Sequence, residues 1–196
     1  MTGEEKVKSF NTELDFIKNE DIKENGKILV QLLPEYFFNV AASSTGKYHP
    51  TFSLGEGGLL RHTKAAARIA KELLDLEMFQ EAFNERERDL MILSIILHDG
   101  LKHGYDMSQY TVAEHPVYMA NYVKENKDKL SLPEDEIEFI SNCIATHMGQ
   151  WNTDYKGNVI MDKPTSNQQK FVHMCDFLSS RKFLDVRFYP DNNIVG

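Results

Sequence analysis

The stretch Asp89–Lys102, DLMILSIILHDGLK, decides how the rest of the chain is read. Leu90 to Leu97 is the longest apolar run, interrupted only by Ser94, and is far short of the ~20 residues that cross a bilayer. Such a run has no polar stripe, so a helix over about Arg86 to Leu97 belongs at the centre of a fold, covered on every side. His98 and Asp99 follow it directly. A carboxylate at that buried end needs a cation or several donors to stay ionised.

Working outward, the flanking segments read as further helices. One spans about Leu59 to Leu76, with His62 in register with Ala66, Ile69 and Leu73 on its apolar face. Pro116 suits the first turn of another, with His115 at or near its cap. Pro133 opens a helix over Glu134 to His147, with acidic residues in the first turn as the macrodipole favours. A last helix is predicted over Asn167 to Phe183, where Asp176 follows Val172 by one turn. Before the centre, Val7, Phe10, Leu14 and Ile17 recur at helical spacing, as do Ile28, Leu29, Leu32 and Leu33 ahead of Pro34. Ala41 to Gly58, AASSTGKYHPTFSLGEGG, reads as a loop, and Trp151 to Pro164 is polar and irregular. Strand signals are weak throughout, so the expected class is all-α.

The 196 residues fit one helical domain spanning 1–196, with a helical N-terminal extension over about 1–45 and a core over about 57–187. Apolar residues at 41% and charged residues at 27% are an ordinary globular balance. A net charge of −8 argues against an extended nucleic-acid groove, which needs a basic stripe, but leaves room for a small phosphorylated substrate met through a bound cation. No apolar leader opens the chain, and Cys143 and Cys175 read as reduced core thiols, so the expected compartment is the cytoplasm, with no membrane partner.

Four of those helices carry a potential metal ligand on the inward face or at the buried end: those of His62, His98-Asp99, His147 and Asp176. His62, His98, Asp99 and Asp176 are expected to converge on one divalent ion. His115 and His147 are expected to build a second site that shares Asp99 as a bridge. Imidazole with carboxylate suits zinc, iron, manganese, cobalt or nickel, and magnesium is a further possibility for one or two such ions. His103 and His173 lack a ligand-like pattern and read as hydrogen-bonded core histidines.

The motifs resemble those of the HD-domain superfamily of metal-dependent phosphohydrolases. GGLLRHT (Gly57–Thr63) is similar to its first-histidine motif, HDGLK (His98–Lys102) to the HD-x-x-K form of its central motif, and Asp176 in HMCDFLSSR to its late aspartate. The resemblance covers Leu59 to Arg187. It is nearest to the HD domains of bacterial 3′–5′ exoribonucleases, which have GGLL before the first histidine and a later His-x-Gly, here His147-Met148-Gly149. Those enzymes also carry an OB-type nucleic-acid module, for which this chain has no pattern.

The resemblance implies a compact helical bundle with the metal site between its central helices. It implies cleavage of a phosphate ester or anhydride of a nucleotide or short oligonucleotide by metal-activated water. Asp99 would ligate metal and orient that water, and Lys102 would hold the phosphate or help the leaving group. Lys47, His49, Arg61, Gln150 and Trp151 are the candidate substrate residues. Gly55, Gly57 and Gly58 either bring backbone amides to a phosphate or serve a tight turn. Two other readings share these residues: a mixed-valence diiron oxygenase of the same superfamily, which uses a similar six-ligand set, and a non-catalytic HD-like binding module. The second is disfavoured because every ligand position is filled.

Overall fold

The computed structural model describes residues 1–43 and 45–184, so the predicted core residues 185–187 lie outside the described residues. Nine α-helices are described: α1 (Gly3–Ser9), α2 (Asn11–Leu14), α3 (Glu20–Leu32), α4 (Gly58–Leu74), α5 (Glu77–Ala82), α6 (Glu85–Leu97), α7 (His115–Glu125), α8 (Glu134–Ala145) and α9 (Asn167–Ser179). The class is all-α: the described residues hold no strand, only an isolated bridge from Thr153 to Val159. None of the described helices is long and apolar enough to cross a membrane.

Helix α6 is the axis of the bundle. Asn84 and Glu87 form a capping box at its start, and from Asp89 to Leu97 every residue is buried. It packs against α3, α4, α8 and α9, while α7 lies on α8 and α9 on α4. Arg86 in its first turn pairs with Asp21 of α3 and Glu136 of α8 and so fixes the outer end. At the inner end Gly100 lets the chain turn: a Cβ there would lie 2.6 Å from both Leu33 Cδ2 and Met119 Sδ. Side chains of α1–α3 and their connections, among them Phe10, Leu14, Ile22 and Leu29, belong to the same hydrophobic cluster as α6.

Several predicted boundaries shift. The N-terminal periodicity is not one helix but two, because Phe10 leaves helical geometry between α1 and α2. The inward face of α4 runs through His62, Ala66, Ala70 and Leu74, with Ile69 and Leu73 only half-buried. Helix α8 ends at Ala145, because Thr146 departs to φ −111° and ψ 5°. His147 therefore sits past the helix, not on it. Helix α9 ends at Ser179, with a 3-10 turn at Lys182–Leu184. Cys143 and Cys175 are buried free thiols, and burial pushes the Cys143 thiol up to about 12.

Candidate metal centre

Six side chains from five places in the sequence meet at the inner end of α6. His62 comes from the first turns of α4, His98 and Asp99 from just past α6, and His115 from the start of α7. His147 follows α8, and Asp176 stands on α9. Asp176 is the one ligand candidate with a partly open side chain, at 16% exposure; the others are fully buried.

The histidines repeat one device. His98 Nδ1 donates to the Ile95 carbonyl at 2.6 Å, His115 Nδ1 to Val112 at 2.7 Å, and His147 Nδ1 to Ile144 at 2.8 Å, each three residues back. Carbonyls at helix ends lack the usual fourth-residue amide, and the rings take up that acceptor capacity; at α8 the Ile144 carbonyl shares it with the Thr146 and His147 amides. His62 Nδ1 donates to Ser179 Oγ at 3.1 Å, and Ser179 in turn donates to the Asp176 carbonyl at 2.8 Å. With Nδ1 carrying the proton, all four rings turn an Nε2 lone pair inward, the arrangement seen where outer hydrogen bonds orient metal-binding imidazoles.

Asp99 stands between two pairs of rings. Its Oδ2 lies 3.6 Å from His62 Nε2 and 3.4 Å from His98 Nε2. Its Oδ1 lies 3.0 Å from His115 Nε2 and 3.5 Å from His147 Nε2. Asp176 Oδ1 is 3.0 Å from His62 Nε2 and 3.4 Å from His98 Nε2. The donor atoms of His62, His98 and Asp99 all lie within 4.8 Å of one another, as do those of His98, His147 and Asp176, and those of Asp99, His115 and His147.

These groups can hold a metal ion, and their electrostatics call for positive charge. Neither His98 Nε2 nor Asp99 Oδ1 has a hydrogen-bond partner although both are buried, and His115 and His147 bring their Nε2 atoms to 3.3 Å. Lone pairs facing each other at that range need a cation or a proton between them. Without metal the site recruits its own. Burial alone would lower the His98 imidazole, but Asp99 and Asp176 outweigh it and raise it to about 10. The Lys102 ammonium sits 2.5 Å from Asp99 Oδ2. Burial works against ionised Asp99 and Asp176, yet Lys102 and His98 around the first, and His62 and His98 around the second, hold both carboxyls well below the usual range. His147 goes the other way: burial drives it down to about 4, a neutral ring ready to donate its lone pair.

A cavity of about 440 Å³ opens onto the cluster, with Asp176, Lys102 and His49 at its inner end. Burial keeps His49 neutral, down at about 4, and its ring packs on His62 at 5.6 Å. Tyr48, Trp151, Phe177 and Arg181 form the outer walls. A larger open groove of about 670 Å³ lies elsewhere, along Thr146, Met161 and Gln169, and contains none of the ligand set.

The predicted substrate residues are scattered by comparison. His49 and Trp151 line the cavity; Lys47 and Gln150 are exposed and do not. Arg61 is turned away: its guanidinium donates to the carbonyls of Phe52, Leu54 and Glu56 and so holds the 41–58 loop closed. The glycine amides serve the turn as well, Gly57 N bonding Asn39 O and Gly58 N bonding Gly55 O. His103 donates to Ser108 O at 2.6 Å and packs on Tyr36. His173 donates to the His147 carbonyl at 2.6 Å and props that ligand candidate from behind.

The sequence also points to Tyr48, beside Lys47 and His49 in the loop before α4, and it lines the cavity; Phe177, Ser179 and Arg181 were missed. Ser179 had a signal, since a residue three past Asp176 on the same helix is its neighbour. Arg181 had none, because its approach to Tyr48 is set by tertiary packing: Lys182 N bonds Tyr48 O at 3.0 Å. In comparisons with known proteins, the chain matches no family model, no curated protein and no solved structure.

Proposed function

We propose that this chain is a metal-dependent phosphohydrolase of the HD type, acting on a phosphate ester or anhydride of a nucleotide or short oligonucleotide. The observation that carries the reading is Asp99, whose two oxygens each face a different pair of imidazoles. His62, His98 and Asp176 with Asp99 would hold one divalent ion, and His115 and His147 with Asp99 a second. Bound there, such ions would acidify water towards neutrality and neutralise phosphoryl oxygens.

The chain's own residues supply the rest. Asp176, partly open to the cavity, faces the space where a phosphate would enter. Lys102 stands between ligands and cavity, so its ammonium meets a phosphate oxygen as a point charge while still neutralising Asp99. Neutral His49 beside it offers a hydrogen-bonding ring without adding charge.

The test is phosphate release from mono-, tri- and cyclic nucleotides and short oligomers, with each divalent metal supplied in turn. Release that depends on added metal supports the reading. Lys102→Ala should lower turnover while keeping bound metal. No release from any of these substrates by metal-loaded protein overturns it, and oxygen uptake with a phosphonate or polyol by iron-loaded protein would favour the oxygenase instead.

A further inference from the structure

The outer half of the cavity is built unlike its inner half. Phe177 and Trp151 are stacked, centroids 5.7 Å apart and planes within 12°. The Arg181 guanidinium lies 4.4 Å from the Phe177 centroid, 5.5 Å from Tyr48 and 6.0 Å from Trp151, bridging the two sides of the opening. Its Nε and Nη2 share Ser180 Oγ at 3.1 and 2.7 Å, and among the described residues it forms no ion pair. Trp151 remains 45% exposed and Tyr48 56%. Large aromatic surface held open to water beside a cation, and continuous with a buried polar cluster, is poor packing but a good platform for a flat ring.

We infer that Tyr48, Trp151, Phe177 and Arg181 form a stacking subsite that takes the planar heteroaromatic ring of the substrate by its face, which makes the ligand class base-bearing phosphate esters and not sugar or polyol phosphates. This rests on the phosphohydrolase reading of the inner end, which receives the phosphate. The chemistry of the walls is face chemistry. A guanidinium stacked on Phe177 directs its N–H groups sideways, towards an anion or a carbonyl. Among the described residues, no asparagine or glutamine lines the cavity to read a base edge. Every base presents a π-face, so recognition of this kind tolerates different bases and favours the larger purine surface. The volume of about 440 Å³ suits one nucleotide unit and not a polymer.

Trp151 is the only tryptophan in the chain, so its fluorescence reports the subsite directly and independently of turnover. Full-length protein is titrated with adenosine, guanosine and cytidine 5′-monophosphates and with ribose 5-phosphate. The expected result is saturable quenching by all three nucleotides, strongest for the purines, and none by ribose 5-phosphate, which binds at least about tenfold more weakly in competition. Trp151→Ala should weaken nucleotide binding, followed calorimetrically, by roughly tenfold, the scale of one lost base–aromatic stack, and Trp151→Phe should restore most of it. Tyr48→Ala, at an exposed position, should weaken binding in the same direction. Ribose 5-phosphate binding as tightly as the nucleotides, or Trp151→Ala binding them like wild type, overturns the subsite even if phosphate is released. Ring-dependent binding without any phosphate release upholds the subsite and overturns the hydrolase.

Discussion

Ser179 Oγ accepts from His62 Nδ1 at 3.1 Å and donates its own hydrogen bond to the Asp176 carbonyl, so one hydroxyl ties two ligand candidates on different helices into a single unit. Removing it frees the His62 ring to adopt the tautomer that blocks Nε2. Ser179→Ala should therefore weaken metal binding by about 10- to 100-fold, the usual effect of losing a partner behind a ligating imidazole. Competition against a chelator of known affinity measures it, and unchanged affinity would remove Ser179 from that role.

The two faces of Asp99 predict two ions per chain under saturating metal. Replacing the rings on one face, His115→Gln with His147→Gln, should leave one ion on His62, His98, Asp99 and Asp176. Metal analysis alongside circular dichroism separates this from unfolding. One ion in both proteins would leave His115 and His147 as substrate or structural residues.

Stripped of metal, the site should give stability a maximum near pH 6.5. His147, driven to about 4 by burial, is neutral in the fold but protonated in the unfolded chain between about 6.5 and 4, so stability falls as pH drops through that window. Its shift corresponds to roughly 3 kcal/mol at the acid end. Asp99 and Asp176, held well below the usual carboxylate range, lose stability in the same direction at still lower pH. His98 has the opposite sign: raised to about 10, it contributes fully below 6.5 and its contribution is lost as pH rises towards 10. Denaturant titrations in chelator across pH 4–10 check both limbs, and His147→Gln should flatten the acid one. An acid limb identical in that variant would show that His147 does not set it.

Gly149 takes φ +62°, and a Cβ on it would lie 2.3 Å from the His173 ring. Gly149→Ala should destabilise the protein by about 3 kcal/mol through overpacking and left-handed strain. It should also weaken metal binding, because the displaced His173 releases the His147 carbonyl. Thermal unfolding with and without metal measures both, and a variant as stable as wild type would mean the ring moves aside freely.

Much of this was legible in the sequence, because burial leaves a periodic trace. The Leu90–Leu97 run marked the axis, and imidazole or carboxylate side chains on or beside four inward-facing helices marked the His/Asp cluster. Partner choice leaves no such trace. Arg61, next to His62, could have faced a phosphate, but three loop carbonyls take its guanidinium. Arg181 sits among ordinary C-terminal residues, and only closure of the 41–58 loop brings Tyr48 against it. Helix ends were overrun for a related reason: apolar spacing continues past Ala145, while Thr146 has already left helical geometry.

Because α6 is covered on all sides from Asp89 onward, its amides should exchange with deuterium only when the whole molecule opens. His98 and Asp99 are thus attached to the stretch of chain that lets go last. The cavity mouth is built instead from exposed side chains such as Tyr48 and Trp151, so a change there leaves Asp99 in its place. The cluster is anchored to a helix that, from Asp89 to Leu97, has no outside.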